Sequence, residues 1–280
     1  MLRFEFALAG LLGAGLLFSN PTLALDRSYG PFSELLQRHV TEQPVADGGL
    51  ISWFDYAGAL ADGVTAALLK RQDALLAEFD PATLTEREPA LAFWINAYNY
   101  FMIRHILNER PEGQLISSVR DYGSLFDPFR VFGETRFDVG GELYSLRQIE
   151  LDILLGDEFR DRGWKDARIH FAVNCASVGC PPLRRQLFSA EQLDDMLDDN
   201  TRIALDTPLH LKLEHGRLQL TSLFDWYQAD FVEERGSVTN FIRRHGSAQA
   251  AAAAASATRI EFIDYDWRLN TRENFVPWLQ

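Results

Sequence analysis

The sequence predicts a helix-rich α+β single domain with a small, mostly antiparallel sheet. Three observations carry this. Residues 85–109 place Phe93, Trp94, Ile95, Tyr98, Phe101, Met102 and Ile103 all round one helix, the pattern of a helix buried on every side. Alternating segments flank Gly140-Gly141 and again Gly216, the pattern of hairpins. Helices and hairpins then mix without strict βαβ alternation, which favours α+β over a parallel α/β sheet.

The elements follow in order. Residues 31–43 and 56–79 read as helices broken at the Asp47-Gly48-Gly49 turn. Thr85 and Glu88 form a capping-box pattern before the central helix, with Pro89 tolerable in its first turn. Residues 111–135 carry loop signals: Pro111, Gly113, Gly123, Asp127-Pro128 and Gly133. The hairpin 136–139/142–145 precedes a second capping box, Ser145 with Gln148, and a helix striped by Leu146, Ile149 and Ile153. Arg168 to Asn174 reads as a buried strand. Ser189 and Gln192 open a helix running to about Leu205. A hairpin over 209–213/218–220 follows, then helices near 223–231 and 238–245, the latter stopped by Gly246. The Ala-rich run 248–257 reads as a helical or frayed surface insert, and Thr258 to Tyr265 as a last strand. The organisation expected is a signal peptide over 1–24, a helical region over 25–84 and the main domain over 85–280.

Composition narrows the function. The chain has 280 residues, is 47% apolar and carries a formal charge of −13, from 27 Lys+Arg against 40 Asp+Glu. That is globular composition, and the chain is long enough to bury a core without disulfides or metals. The acid excess disfavours nucleic acid and anionic lipid as partners, since phosphates need a basic face. Arg3 followed by an uncharged run from Phe6 to Phe18 and the small-x-small Thr22-Leu23-Ala24 reads as a secretory signal. The run is shorter than the ~20 residues of a spanning helix, a retained anchor being the alternative. The expectation is a periplasmic or secreted protein with no integral span after cleavage, in an oxidising compartment.

The two cysteines, Cys175 and Cys180, lie in the segment richest in chemistry, Arg168 to Pro182. In an extended strand His170, Ala172 and Asn174 share one face, and Cys175 takes the other. Cys180 sits beyond a Gly-containing loop and is free to fold back. If Pro181-Pro182 start a helix, the helix N-terminus lowers the thiol's pKa. Geometry then favours Cys180 as nucleophile, His170 as base and Asn174 beside it. The alternatives are a Cys175–Cys180 disulfide, two inert buried thiols, or a zinc site with His170 and a carboxylate, whose spacing fits zinc poorly.

Glu150 stands inside the apolar stripe of its helix, where a carboxylate needs a partner. It either works with His170 or pairs with an arginine such as Arg168 or Arg202. Asn96 and Asn99 share a face of the central helix; they either tie down neighbouring loops or line the site with Tyr98 and Cys175. Glu191, Asp194, Asp195, Asp198 and Asp199 read as a solvated helix face. The Phe224–Tyr227 and Tyr265–Trp267 segments read as core or groove packing.

Ala92–Asn99, Ser145–Glu150 and Arg168–Leu183 resemble, in order, the FWINxYN, SLxxIE and RIHFAxxCxxxxCPPL segments of the domain of unknown function 547 family. Phe224–Phe231 and Tyr265–Asn270 resemble its downstream WYxxDF and YDWxLN pieces, so the resemblance spans about residues 85–270. It covers Asn96, Asn99, Glu150, His170, Cys175 and Cys180, and implies no settled activity. It implies a histidine after the Ile-Glu pair, where this chain has Leu151.

Together these readings predict a cysteine-dependent hydrolase or acyltransferase acting on a peptide or amide bond. Cys180 would attack, His170 would move the proton, and Glu150 or an Asn would hold the imidazole. Backbone N–H groups around Gly179 and Cys180 would receive the oxyanion. No cofactor or metal is called for. The rival is a non-catalytic binding or scaffold domain stapled by Cys175–Cys180. A redox role fits less well, because the spacing is not C-x-x-C.

Overall fold

A computed structural model describes residues 28–134 and 136–279. The signal peptide expected over residues 1–24 lies outside the described residues. Helix α1 (Gly30–His39) runs into strand β1 (Val40–Pro44), which pairs antiparallel with β2 (Leu50–Phe54). The Gly48-Gly49 turn therefore closes a hairpin, where the sequence suggested a break between helices. Glu42 and Gln43 are good helix formers, but the chain reversal and the antiparallel pairing of Thr41 with Trp53 and Gln43 with Ile51 override that propensity. Helices α2 (Tyr56–Ala61) and α3 (Thr65–Ala77) complete this region.

Helix α4 (Arg87–Asn108) is the axis of the molecule, buried on nearly every face from Pro89 to Leu107. Glu86 occupies its N-cap position without a side-chain cap, so the Thr85 box does not form. The main core gathers around α4, and Tyr29, Phe32, Leu36, Phe54 and Leu76 join it. The first helices and α4 thus share one hydrophobic interior.

Short helix α5 (Arg130–Gly133) leads to the hairpin β3 (Phe137–Val139) and β4 (Glu142–Tyr144). The Ser145 box forms reciprocally: Gln148 N–H donates to Ser145 Oγ at 3.1 Å, and Ser145 N–H to Gln148 Oε1 at 2.8 Å. The turns that follow, Gln148–Leu154, are π-helical, with Leu155 N–H reaching Glu150 C=O at 3.0 Å. Wide turns of this kind are rare and concentrate at functional sites. Helix α6 (Asp157–Asp161) follows.

Residues 167–171 are a tight 3₁₀ turn, not the expected strand. Asp166 caps it, accepting from Arg168 N–H at 3.0 Å. A short apolar run does not by itself separate a buried strand from a buried helical turn. Here helices pack against the segment, and among the described residues no strand pairs with it to make a ladder. The strand-parity argument for Cys180 falls with it. Helix α7 (Leu193–Leu205) begins at Gln192 with no side-chain cap, so the Ser189 box is not made.

The last sheet orders β5 (Leu211–Glu214), β6 (Arg217–Thr221) and β7 (Arg259–Ile263), with β6 and β7 parallel. Between them run α8 (Leu223–Trp226), α9 (Gln228–Arg235), α10 (Val238–His245) and α11 (Ala248–Ser256). Helix α11 is the Ala-rich run. It is packed rather than frayed, with Ala250, Ala253 and Ala254 buried against the Phe224, Phe231 and Phe241 cluster. The result is a helix-rich α+β domain with three small sheets, of which β6–β7 is the parallel exception. No helix among the described residues is long and apolar enough to cross a membrane.

Candidate active site

The π-helical turns, the 3₁₀ turn, helices α8 and α9 and the C-terminal segment converge on a cavity of about 380 Å³. Its lining includes Glu150, His170, Cys175, Cys180, Tyr98 and Arg147. Aromatic walls come from Phe129, Phe132, Trp226, Tyr227, Tyr265 and Trp267. The Trp226 and Trp267 rings stack at 5.7 Å, and Trp226 is 47% exposed at the mouth.

The cysteine loop is held from three sides. Asn99 Nδ2 donates to Ala172 C=O at 3.0 Å and Asn99 Oδ1 accepts from Asn174 N–H at 2.7 Å. Asn174 Nδ2 donates to Pro181 C=O at 2.8 Å, and its Oδ1 accepts from Ala176 N–H at 2.8 Å. That last bond helps hold Ala176 at φ 62°, a left-handed conformation that an alanine takes only under constraint. Val178 N–H and Gly179 N–H donate to Arg268 and Asp266 C=O at 2.8 and 2.9 Å, zipping the loop to the C-terminal segment. A Cβ on Gly179 would meet the Tyr265 ring at 3.1 Å, so glycine permits this approach.

Cys175 and Cys180 lie at disulfide distance, with Cα atoms 6.3 Å apart. Cys180 Sγ accepts from Cys175 N–H at 3.0 Å and from the Tyr265 hydroxyl at 3.1 Å. No helix starts after Pro181-Pro182, since α7 begins only at Leu193. The expected helix-terminus effect on Cys180 is therefore absent. The expected oxyanion donors are also committed: Gly179 N–H to Asp266 C=O, and Cys180 N–H to Ser177 C=O at 3.1 Å.

His170 is buried, with its ring stacked on Tyr227 at 4.0 Å. Its Nε2 bonds Asp230 Oδ2 at 2.8 Å, and Lys165 Nζ pairs with Asp230 Oδ1 at 2.6 Å. Its Nδ1 has no partner among the described residues. In the neutral ring Nε2–H donates to the carboxylate and leaves the lone pair on Nδ1. Burial would raise the Asp230 pKa, but the bonds to His170 and Lys165 prevail and bring it down to about 2. Asp230 therefore takes the orienting role assigned to Glu150 or an asparagine.

Glu150 pairs with neither Arg168 nor Arg202. Tyr98 and Tyr227 hydroxyls bond its carboxyl. Burial raises its pKa; His170, the two tyrosines and Arg147 pull the other way without cancelling it. A raised acid carries a folding penalty when ionised, absent below its unfolded pKa of ~4.3 and full above the native value. Glu150→Gln should therefore add stability at neutral pH, and thermal unfolding against pH should show the gain disappearing in acid.

The structure brings Glu150, His170, Cys175, Cys180 and Tyr98 together. It leaves Asn96, Asn99 and Asn174 out of the cavity wall. Asn96 clamps Phe188, donating to its C=O at 2.8 Å and accepting from its N–H at 3.1 Å. Asn174, read as part of the catalytic set, is spent on the loop backbone, because a buried amide must be satisfied. The acidic face of α7 is not merely solvated: Asp194 and Asp198 bond Arg168, and Asp199 bonds Arg184. Sequence reasoning missed Asp230 and Arg147 and took Tyr227 and Tyr265 for packing. A signal for Asp230 existed, since on a helix it falls beside Tyr227 and the buried Phe231. Leu151 lies in the cavity wall, so the histidine implied there by resemblance would face this space. No group of three His, Cys, Asp or Glu among the described residues is placed to hold a metal ion.

The chain is thus a helix-rich α+β protein with a cysteine pair, an Asp-supported histidine and a buried carboxyl around an aromatic cavity. Residues 81–203 match the model of the family described as "Protein of unknown function, DUF547". The match includes Glu150, His170, Cys175 and Cys180, while Asp230 and Tyr265 lie C-terminal to it. No curated protein and no solved structure matches the chain.

Proposed function

We propose that this chain is an exported cysteine-dependent hydrolase or acyltransferase acting on a peptide or amide bond. The observation that supports it is the placement of Cys180, the Asp230-supported His170 and Glu150 on one cavity. The active form is the reduced one: one dithiol is oxidised to its disulfide as the Cys175–Cys180 pair becomes two thiols. His170 Nδ1 then takes the Cys180 thiol proton, the thiolate bonds the substrate carbonyl carbon, and the C=O π electrons move to oxygen. The intermediate collapses, the C–N bond breaks, and His170 gives its proton to the departing amine. Water, or a second amine in transfer, next attacks the thioester while His170 accepts its proton, and thiolate leaves.

A second reading keeps the pocket and drops the chemistry: a binding or scaffold domain in which Cys175–Cys180 staples the loop. The close approach of the two cysteines, with Cα atoms 6.3 Å apart across the loop, favours it.

Alkylation with iodoacetamide before and after mild dithiol treatment, with peptide mapping by mass spectrometry, separates the two. The enzyme reading expects fast labelling at Cys180 after reduction, retained in Cys175→Ala and lost in Cys180→Ala. A pair that resists mild reduction in the folded protein, or two thiols that label equally slowly, overturns it.

A further inference from the structure

We propose that Tyr265 is a catalytic residue of this site, its hydroxyl donating to the Cys180 sulfur and holding the nucleophile as an anion. The inference rests on the thiol reading above and deepens it. Tyr265 Oη lies 3.1 Å from Cys180 Sγ and 3.3 Å from Cys175 Sγ. Among the described residues, no other side chain hydrogen-bonds to either sulfur. The second donor is the Cys175 backbone N–H, at 3.0 Å from Cys180 Sγ. A thiolate needs such donors, because an anion stripped of water is costly unless hydrogen bonds replace the hydration. Many reactive cysteines take them from a helix N-terminus. Here no helix begins after Cys180, and Tyr265 with the Cys175 amide fills that role.

The phenol is fixed in place. Its ring packs on Trp267 at 4.5 Å and Trp226 at 4.9 Å, and Gly179 lets the cysteine loop come against it. Burial keeps the hydroxyl protonated, with the fields of Tyr227, Glu150 and Asp266 acting in the same direction. A group that stays protonated remains a donor while the sulfur ionises. Because one hydroxyl reaches both sulfurs, it stays with Cys180 as the pair opens.

The other titratable and charged groups about the sulfurs are Glu150, Tyr98, Tyr227, His170 and Arg147 around the cavity and Asp266 next to Tyr265. His210 bonds the Cys180 backbone from below. Each affects the sulfur through space or through the backbone, whereas Tyr265 touches it.

The test is the pH–rate profile of iodoacetamide alkylation at Cys180 in the reduced full chain. Tyr265→Phe removes one oxygen and keeps the ring. The profile should move to higher pH by about one unit, with the rate near neutrality falling about tenfold. Placing 3-fluorotyrosine at position 265 makes a stronger donor and should move the profile the other way. It also keeps the proposal testable if Tyr265→Phe fails to fold. Superimposed profiles for wild type and either folded variant overturn the Tyr265 assignment alone. A wild-type Cys180 no faster than an ordinary thiol overturns the thiol reading instead.

Discussion

His170→Ala is expected to lower acyl transfer to and from Cys180 by about 10²–10⁴-fold, the range of a positioned general acid–base group. Turnover of an acyl p-nitroanilide by the reduced protein is the measurement, because an amine leaving group needs the proton that the proposed mechanism assigns to His170. Iodoacetamide labelling of Cys180 should fall less, since alkylation expels iodide and needs no acid. Asp230→Asn tests the same imidazole from behind. His170 Nε2 donates to Asp230 at 2.8 Å, which leaves Nδ1 as the basic atom. An amide at 230 can turn its NH₂ toward Nε2, favour the other tautomer and move the lone pair to the wrong nitrogen. The loss should approach that of His170→Ala while labelling of Cys180 persists. Equal turnover in all three proteins would remove His170 from the mechanism. Asp230 also sets an acid limit. Its native pKa of about 2 lies below the unfolded value of ~3.9, so its stabilising effect is complete above ~3.9 and disappears as pH falls through about 2.

The parts of the fold legible in the sequence are those where local pattern and tertiary context agree. Helix α4 is apolar all round because it is buried all round. The β3–β4 and β5–β6 hairpins follow their glycines, and Ser145–Gln148 makes its reciprocal cap. Failure came where long-range partners decide. Arg168–Asn174 has strand composition, but Asp166 caps it and Arg168 reaches the carboxylates of α7, so it turns instead. The site divides the same way. Glu150, His170 and the cysteines stand out locally, as a carboxyl in an apolar stripe or a thiol pair beside prolines. Asp230 and Tyr265 are 60 and 85 residues from the groups they touch. The only local mark of Asp230 is its helical placement beside Tyr227, and a tyrosine in an aromatic run carries no mark of such a partner.

The same network leads to the largest stability effect. Arg168→Met should cost about 3–5 kcal/mol in denaturant unfolding, the range for breaking a buried ion cluster by removing one partner. Arg168 bonds Asp166 at 2.6 Å, Asp194 at 2.6 Å and Asp198 at 2.9 Å. Asp194 and Asp198 are about half exposed, and water screens their share. Asp166 is the buried member, and Arg87, at 2.8 Å, is the only other cation on it among the described residues. Burial would raise the Asp166 pKa, but Arg168 reverses this and holds it below the usual carboxylate range. An acid lowered in the native state stabilises above its unfolded pKa of ~3.9 and stops doing so as pH falls through the native value. Wild type should therefore lose stability in acid more steeply than Arg168→Met, and the two curves should converge at low pH. A constant gap across pH would mean that Arg168 acts by packing alone. Function should follow, because Asp166 and Arg168 pin the turn that carries His170. In the still-folded variant, p-nitroanilide turnover should drop while Cys180, held by Asn99, Asn174 and the C-terminal segment, keeps its reactivity toward iodoacetamide.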